Sequence, residues 1–509
     1  MSDDESQGSQ AVADLISDWY HVPALGLIVA VMLWIRLQAY DTFLRDGEVY
    51  FSGNDAWYHL RQVNYTIQNW PASMPYDPWT GFPYGNLAGQ FGTLYDQLIA
   101  TAALVVGLGD PSQELIAKTL LVAPAIFGAL VALPTYAVGK RLGGRLGGVF
   151  AAIVLMLLPG TFLRRGLVGF ADHNVAEPLF MLAAVLATMI ALTVADRERP
   201  VWELVVDRDL DALRDPLKWS VLAGVAIAVY MWVWPPGILL VGITGVYVLV
   251  QMVASFVRDD SPEHVAFVAG VSMPIVAVLM ATRISEPGFG VTGFTLLQVL
   301  LPLAVGVGAV FLAWLARVWE SQDLERNGYP VAVGGLVAVS LGVFSLVLPG
   351  VFSSIASNLL NTVGFSATAG TRTIGEAQPF ISADILQRQG LSASGRIVSE
   401  YGFTFFSGLV ASIWLAAKPL VKSGDTRKWG YVTGALGVVA LIFLVPAIPD
   451  GIGTALGLES SLVSLIVVSA LIFGGILQAD YEPEQLFVLV WIAFITSAAF
   501  TQVRFNYYL

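Results

Sequence analysis

A chain of 509 residues that is 56% hydrophobic and only 13% charged, with mean hydropathy +0.71, lies beyond what a soluble domain reaches while keeping a wettable surface, and it reads as a polytopic membrane protein. Zero cysteines exclude a disulfide framework, cysteine-ligated zinc and thiol catalysis, which leaves chemistry to oxygen and imidazole groups. A net charge of −12, with six lysines against twenty arginines, argues against a nucleic-acid surface and fits a halophile.

Residues 1–21 are polar and acidic and lack the basic start and cleavage site of a secretory signal, so they read as a cytoplasmic tail before a retained first anchor. About twenty apolar residues are needed to cross the hydrocarbon core. Candidate spans fall at roughly 22–40, 115–138, 145–160, 176–195, 217–234, 237–257, 264–281, 295–317, 330–350, 402–417, 429–447, 461–478 and 485–503, thirteen in all. The run "LIATAALVVGL", residues 98–108, is too short and reads as an interfacial or re-entrant helix. Residues 196–216 read as a cytoplasmic connector, and "VWPPG", residues 233–237, as a tight outer connection. With the N-terminus inside, fifteen of the twenty-six basic residues occupy short cytoplasmic loops, as the positive-inside rule asks. The same threading puts three polar intervals, 41–114, 161–175 and 351–401, on one outer face.

The first interval is dense in aromatics, which suit an interfacial belt. Its Asp55 follows the flexible "SGN" just beyond the first span, where a carboxylate can reach a metal or a substrate, although a solvated loop aspartate or a helix cap is the plainer reading of that residue alone. The second interval runs into "RRGLVGFADHNVAEPLF", residues 164–180. Ionisable groups at membrane depth are costly and mark function, and Asp172 with its neighbours suits a hard divalent cation. Glu177 reads as a first-turn charge on the next helix. The third interval carries "NTVGFSATAGTRTIGEAQPF", residues 361–380, too long for a simple connection and rich in Gly, Ser and Thr, which suits a mobile lid, although a solvated loop charge is the plainer reading of Glu376 from this segment alone.

Four strings in order, "GNDAWYHLR", "GFADHN", "TIGE" and "TQVRFNYYL", resemble the catalytic subunit of oligosaccharyltransferases, most closely the archaeal single-subunit enzymes. The resemblance implies an all-α polytopic fold of about 13 transmembrane helices with long outer loops, a GT-C-type glycosyltransferase membrane domain over residues 22–509. It implies transfer of an oligosaccharide from a dolichyl phosphate or diphosphate donor to asparagine in Asn-X-Ser/Thr, on the outer face of the cell membrane, with Mn²⁺ or Mg²⁺. The partners would be the lipid-linked oligosaccharide, acceptor proteins and membrane lipid, with no nucleic acid.

By the same resemblance Asp55 and Asp172 belong to two D-x-D-type motifs that serve the metal, and Asp55, Glu376 and Arg165 are catalytic. Glu376 lies beside the acceptor peptide and the metal, Thr373 shares the acceptor motif, and Arg504 contacts the donor's phosphate. The second motif often ends in a second histidine; here Asn174 would offer a neutral amide oxygen, and His173 is not counted as a ligand. Family members continue with further spans and an outer soluble domain bearing W-W-D-Y-G. No such string occurs, so the sequence reads as a truncated chain. Another polyprenyl-phosphate-sugar transferase, an inactive paralogue and a transporter are the competing classes.

Overall fold

The apolar runs fold as helices because each must satisfy its backbone polar groups internally where no water is available. A computed structural model describes residues 18–197, 201–364, 375–381, 383–445, 447–457 and 460–509, so Thr373 and most of the acidic tail lie outside the described residues. The chain forms two compact units, one of residues 1–88, 93–186 and 397–404, the other of residues 89–92, 187–396 and 405–509.

Among the described residues ten helices are long and apolar enough to cross a membrane, or eleven if the bent pair Thr426–Ile442 and Ala447–Leu456 is one span. The thirteen expected runs are all helical, but they group differently. The runs at 115–138 and 145–160 fall in one helical stretch, Gln113–Met156, and Leu462–Gln478 is shorter than a full span.

The first unit opens with α1 (His21–Leu37). A two-residue ribbon, β1 (Leu44–Arg45) against β2 (Glu48–Val49), then leads into α2 (Asp55–Gln68). A second ribbon, β3 (Tyr76–Asp77) against β4 (Asn86–Leu87), is pinned to α2 by Asp77, which is fully buried and accepts from Arg61 Nε at 3.1 Å, Arg61 Nη2 at 2.5 Å, Thr80 Oγ1 at 2.6 Å and the Trp79 amide at 3.2 Å. The ribbon holds Trp79 and Phe82 stacked and exposed. Next comes α3 (Leu94–Val106), whose 13 residues reach about 20 Å and fall short of a span, as expected of residues 98–108.

The following helices are α4 (Gln113–Leu130) and α5 (Ala132–Met156). Gly143 and Gly144 depart from helical geometry, Gly144 at φ 72°, so α5 doubles back there and Gly139 lies against Gly147, Gly148 and Ala151. Small residues permit that close approach of two backbones. This hairpin recovers the two expected arms. The unit continues through α6 (Thr161–Arg165) into the first half of α7 (Ala176–Arg197).

In the second unit the helices Leu210–Val233 and Ile238–Val257 are joined by a single turn at Pro235–Gly237, the expected tight connection. Connector residues Val201–Asp207 form a short helix. The terminal helix Pro483–Thr501 is followed by a turn, Val503–Tyr508, which buries Phe505 against Trp234 and sets the Tyr508 hydroxyl 3.2 Å from that of Tyr230.

Candidate active site

Three backbone hydrogen bonds stitch the second polar interval into the first unit: Val168 donates to Arg36 at 3.0 Å, Gly169 to Leu121 at 3.1 Å, and Ser52 to Gly169 at 2.9 Å. Gly169 has φ 91°, and a Cβ there would meet the Phe43 ring at 2.4 Å, so this turn accepts only glycine without movement. Arg36, 1% exposed, fills the space left by Gly128 and Gly166, with its guanidinium 5.2 Å from the Phe162 ring. The loop is thereby held rigid three residues before Asp172.

Asp55 and His59 are one turn apart on α2 and share a face. Asp55 is exposed; His59 is buried, and its ring reaches two other segments. Its Nδ1 stands 2.7 Å from Asp96 Oδ1 on α3, and its Nε2 lies 3.3 Å from both Asp172 Oδ1 and His173 Nδ1. His173 Nδ1 is 2.7 Å from the same Asp172 oxygen. The other Asp172 oxygen faces Arg165 Nη1 at 3.5 Å and accepts from the Asn174 amide. On the far side of His173, Nε2 lies 3.3 Å from Glu177 Oε1.

His59, Asp172 and His173 thus offer three donor atoms separated pairwise by 2.7 to 3.3 Å. Donors at about 2.0–2.2 Å from a shared ion sit roughly 2.8–3.6 Å from one another. The residues therefore fit a divalent ion, as a face of two imidazoles and one carboxylate. The electrostatics agree. Burial opposes charge on His59, yet Asp96 and Asp172 outweigh it and push its pKa up to about 10. Burial acts against ionised Asp172 too, but His173 and His59 hold its carboxyl well below the usual range. Such a cluster stabilises positive charge at its centre.

Of the residues singled out in the sequence, Asp172, Arg165 and Asn174 are brought together here, with Asn174 supporting the carboxylate of Asp172. Asp55 stands at the exposed start of α2. His59, His173 and Asp96 were not chosen from the sequence, although the i to i+4 spacing of Asp55 and His59 was a signal for the first. Glu177, read as an ordinary first-turn charge, is fully buried and faces His173.

Glu376 and Arg504 belong to the second unit and are both exposed. Glu376 sits in the single turn Gly375–Ala377, and the chain around it is anchored on the C-terminal helix and turn. Val503 donates to the Gln378 carbonyl at 2.9 Å, Phe380 to Phe500 at 3.1 Å, Ser497 Oγ to Val363 at 2.5 Å, and Gln502 Nε2 to Asn361 at 2.6 Å. The segments bearing Glu376 and Arg504 are thus neighbours.

Residues 25–508 match the family described as Oligosaccharyl transferase STT3, N-terminal. The chain belongs to the STT3 oligosaccharyl transferase family. It is similar to the dolichyl-monophosphooligosaccharide–protein glycotransferase AglB of Haloferax volcanii, 67% identical over all of this chain and 48% of that protein. The fold of this STT3 chain resembles the Archaeoglobus fulgidus oligosaccharyltransferase AglB in complex with an inhibitory peptide and a dolichol-phosphate, with TM-score 0.67 and 22% identity over 96% of this chain and 56% of that one. It also resembles the Archaeoglobus fulgidus enzyme in complex with Zn and sulfate, with TM-score 0.60 and 21% identity over 95% of this chain and 52% of that one. The STT3 chain spans about half the length of the curated relatives it matches.

Proposed function

We propose that this STT3 family member transfers an oligosaccharide from a dolichyl phosphate or diphosphate carrier to the side chain of asparagine in Asn-X-Ser/Thr, at the extracellular face of the cell membrane. The observation that carries the reading is the convergence of His59, Asp172 and His173 beside Arg165 in a chain of this family. The name of the Haloferax volcanii relative supports a dolichyl monophosphate carrier.

In the reaction the amide nitrogen of asparagine forms a bond to the anomeric carbon. The bond from that carbon to the lipid phosphate oxygen breaks, the phosphate leaves with the electron pair, and the nitrogen gives up one proton. The amide is a weak nucleophile because its lone pair is delocalised into the carbonyl. Asp55, exposed at the start of α2, accepts a hydrogen bond from the acceptor NH₂ and weakens that conjugation. Glu376, with Thr373, orients the acceptor peptide, and Arg165 and Arg504 supply fixed positive charge for the phosphate.

His59, Asp172 and His173 would hold the divalent ion, with Asp55 and Glu376 as further carboxylates and Asn174 as support for Asp172. When bound, that ion offsets negative charge that develops on the leaving phosphate. Two imidazoles favour Mn²⁺ over Mg²⁺, which prefers oxygen donors and retains its waters.

The test uses membranes holding the protein, a lipid-linked glycan extract and a peptide bearing Asn-X-Thr, read by glycopeptide mass spectrometry. Wild type forms glycopeptide, a chelator stops it, and Glu376→Ala abolishes it. Wild-type membranes that yield no glycopeptide where an active oligosaccharyltransferase succeeds would overturn the reading.

A further inference from the structure

The ribbon of β3 and β4 exposes side chains that a water-facing ribbon hides. Trp79 is 65% exposed, Phe82 72% and Tyr84 86%, and the first two rings stack at 6.1 Å. Residues 78–108 contain one charged side chain, Asp96, and that one is buried beside His59. The uncharged run passes into α3, where Leu98, Val105 and Val106 are exposed, and the spanning stretch Gln113–Met156 comes next in the chain. An exposed apolar surface of this extent marks an interaction site, and this one is continuous along the chain with a membrane-spanning helix. The polar groups of the ribbon are mostly turned inward: Thr80 Oγ1 donates to Asp77 at 2.6 Å, and the Tyr76 hydroxyl donates to the Tyr84 carbonyl. Among residues 78–85 that leaves the Trp79 indole N–H and the Tyr84 hydroxyl. Two such groups are too few to orient a bound sugar, but a ring with an apolar body and one polar edge suits the headgroup level of a bilayer.

We propose that the ribbon tip, residues 78–85, is seated in the headgroup interface of the membrane on the side that α2 occupies, and that it fixes the depth of α2 relative to the bilayer. Two clamps on one turn of α2 flank His59. Arg61 holds the buried Asp77 of β3 through Nε at 3.1 Å and Nη2 at 2.5 Å, and donates from Nη1 to the Trp57 carbonyl at 3.1 Å. The Tyr58 hydroxyl donates to the carbonyl of Ala88, just past β4, at 2.6 Å. The Ala88 amide in turn donates to the Pro75 carbonyl at 3.1 Å, which closes the base of the ribbon. With both ends of the ribbon tied to α2, a tip held at one depth holds Asp55 and His59 at one depth. A lipid-linked donor presents its phosphate at headgroup level, so the depth of α2 governs whether Asp55 meets the bond that breaks. This consequence for transfer rests on the function proposed above; the seating of the tip does not.

The chain has no cysteine, so Tyr84→Cys and, on the first ribbon, Glu48→Cys at an exposed position each give a single labelling site. The whole protein, labelled there with an environment-sensitive fluorophore, is placed in phosphatidylcholine vesicles. At position 84 the emission is expected to shift to the blue and to be quenched by a nitroxide carried on the lipid near the headgroup, with little quenching by iodide in the water. Position 48 is expected to show the reverse. Quenching at position 84 by iodide alone, or by neither agent, as a covering protein segment would give, overturns the proposal. Transfer gives the second readout. Trp79→Ser combined with Phe82→Ser lowers the yield of glycopeptide in vesicles and leaves it at the wild-type value in detergent, where no leaflet sets a depth. Equal loss in both media, or loss in neither, removes the depth-setting role. Wild-type protein silent in both media removes the proposed function and the consequence drawn from it, while the quenching by itself decides the seating of the tip.

Discussion

The amide of Val503 donates to the carbonyl of Gln378 at 2.9 Å, so the residue before Arg504 and the second residue after Glu376 are hydrogen-bonded neighbours. Around this bond Phe380 is fully buried, with its ring 5.3 Å from that of Phe500 and the Arg396 guanidinium 5.1 Å from its centre. Phe380→Ala removes that anchor. The expected outcome is a loss of about 3–5 kcal/mol from this part of the fold, seen as a lower melting temperature in detergent. Peptide glycosylation falls with it.

A second anchor reaches α6. The Glu400 carboxylate accepts from the Thr161 amide at 2.6 Å, and both residues lie in the first unit. It thereby satisfies a backbone donor at the start of the turn that ends in Arg165. Glu400→Ala is expected to cost about 1 kcal/mol, the usual worth of such a cap. Faster hydrogen exchange at residues 161–166 is the check, and exchange at the wild-type rate there would argue that the contact is idle.

Asp77 gives the first interval a pH dependence. Burial raises its pKa, but hydrogen bonds from Arg61, Thr80 and the Trp79 amide prevail and hold the carboxyl below its usual value. A depressed folded-state pKa means stability that is present above the unfolded value, about 3.9, and lost as pH falls through the folded one. Fluorescence of the exposed Trp79 should therefore report loosening of the ribbon only on acidification below about pH 4. Asp77→Asn should loosen the ribbon at neutral pH and remove the acid step.

Gly169→Ala tests the turn before Asp172. The left-handed backbone there costs a side-chain-bearing residue about 1–2 kcal/mol, and overlap with the Phe43 ring adds roughly 1–3 kcal/mol. Both a lower melting temperature and weaker Mn²⁺ binding are expected, because Asp172 moves with the turn. Gly139→Ala, in the α5 hairpin, is expected to lower the melting temperature and leave Mn²⁺ binding unchanged.

The sequence by itself determined the membrane class, the helical runs and the motifs of the STT3 family, because each is written in local chemistry. Twenty apolar residues in a row need no distant partner to declare a span. "GNDAWYHLR" and "GFADHN" carry their acids at readable positions. It also marked residues 98–108 as too short to cross, and α3 has that length.

Only the tertiary structure decided which polar groups meet. Asp96 was not singled out in the sequence, and Glu177 read as a charge on a first turn; the packing of α3 against α2 sets the buried Asp96 beside His59, and Glu177 is buried facing His173. His59 was passed over because its helix face is fixed by local spacing, whereas its role depends on Asp96 and on Asp172, which is 113 positions away in the chain. The merging of two expected runs into Gln113–Met156 has the same origin. Hydropathy counts apolar residues one window at a time, and the glycine turn that folds α5 back on itself is held by contacts between its two arms.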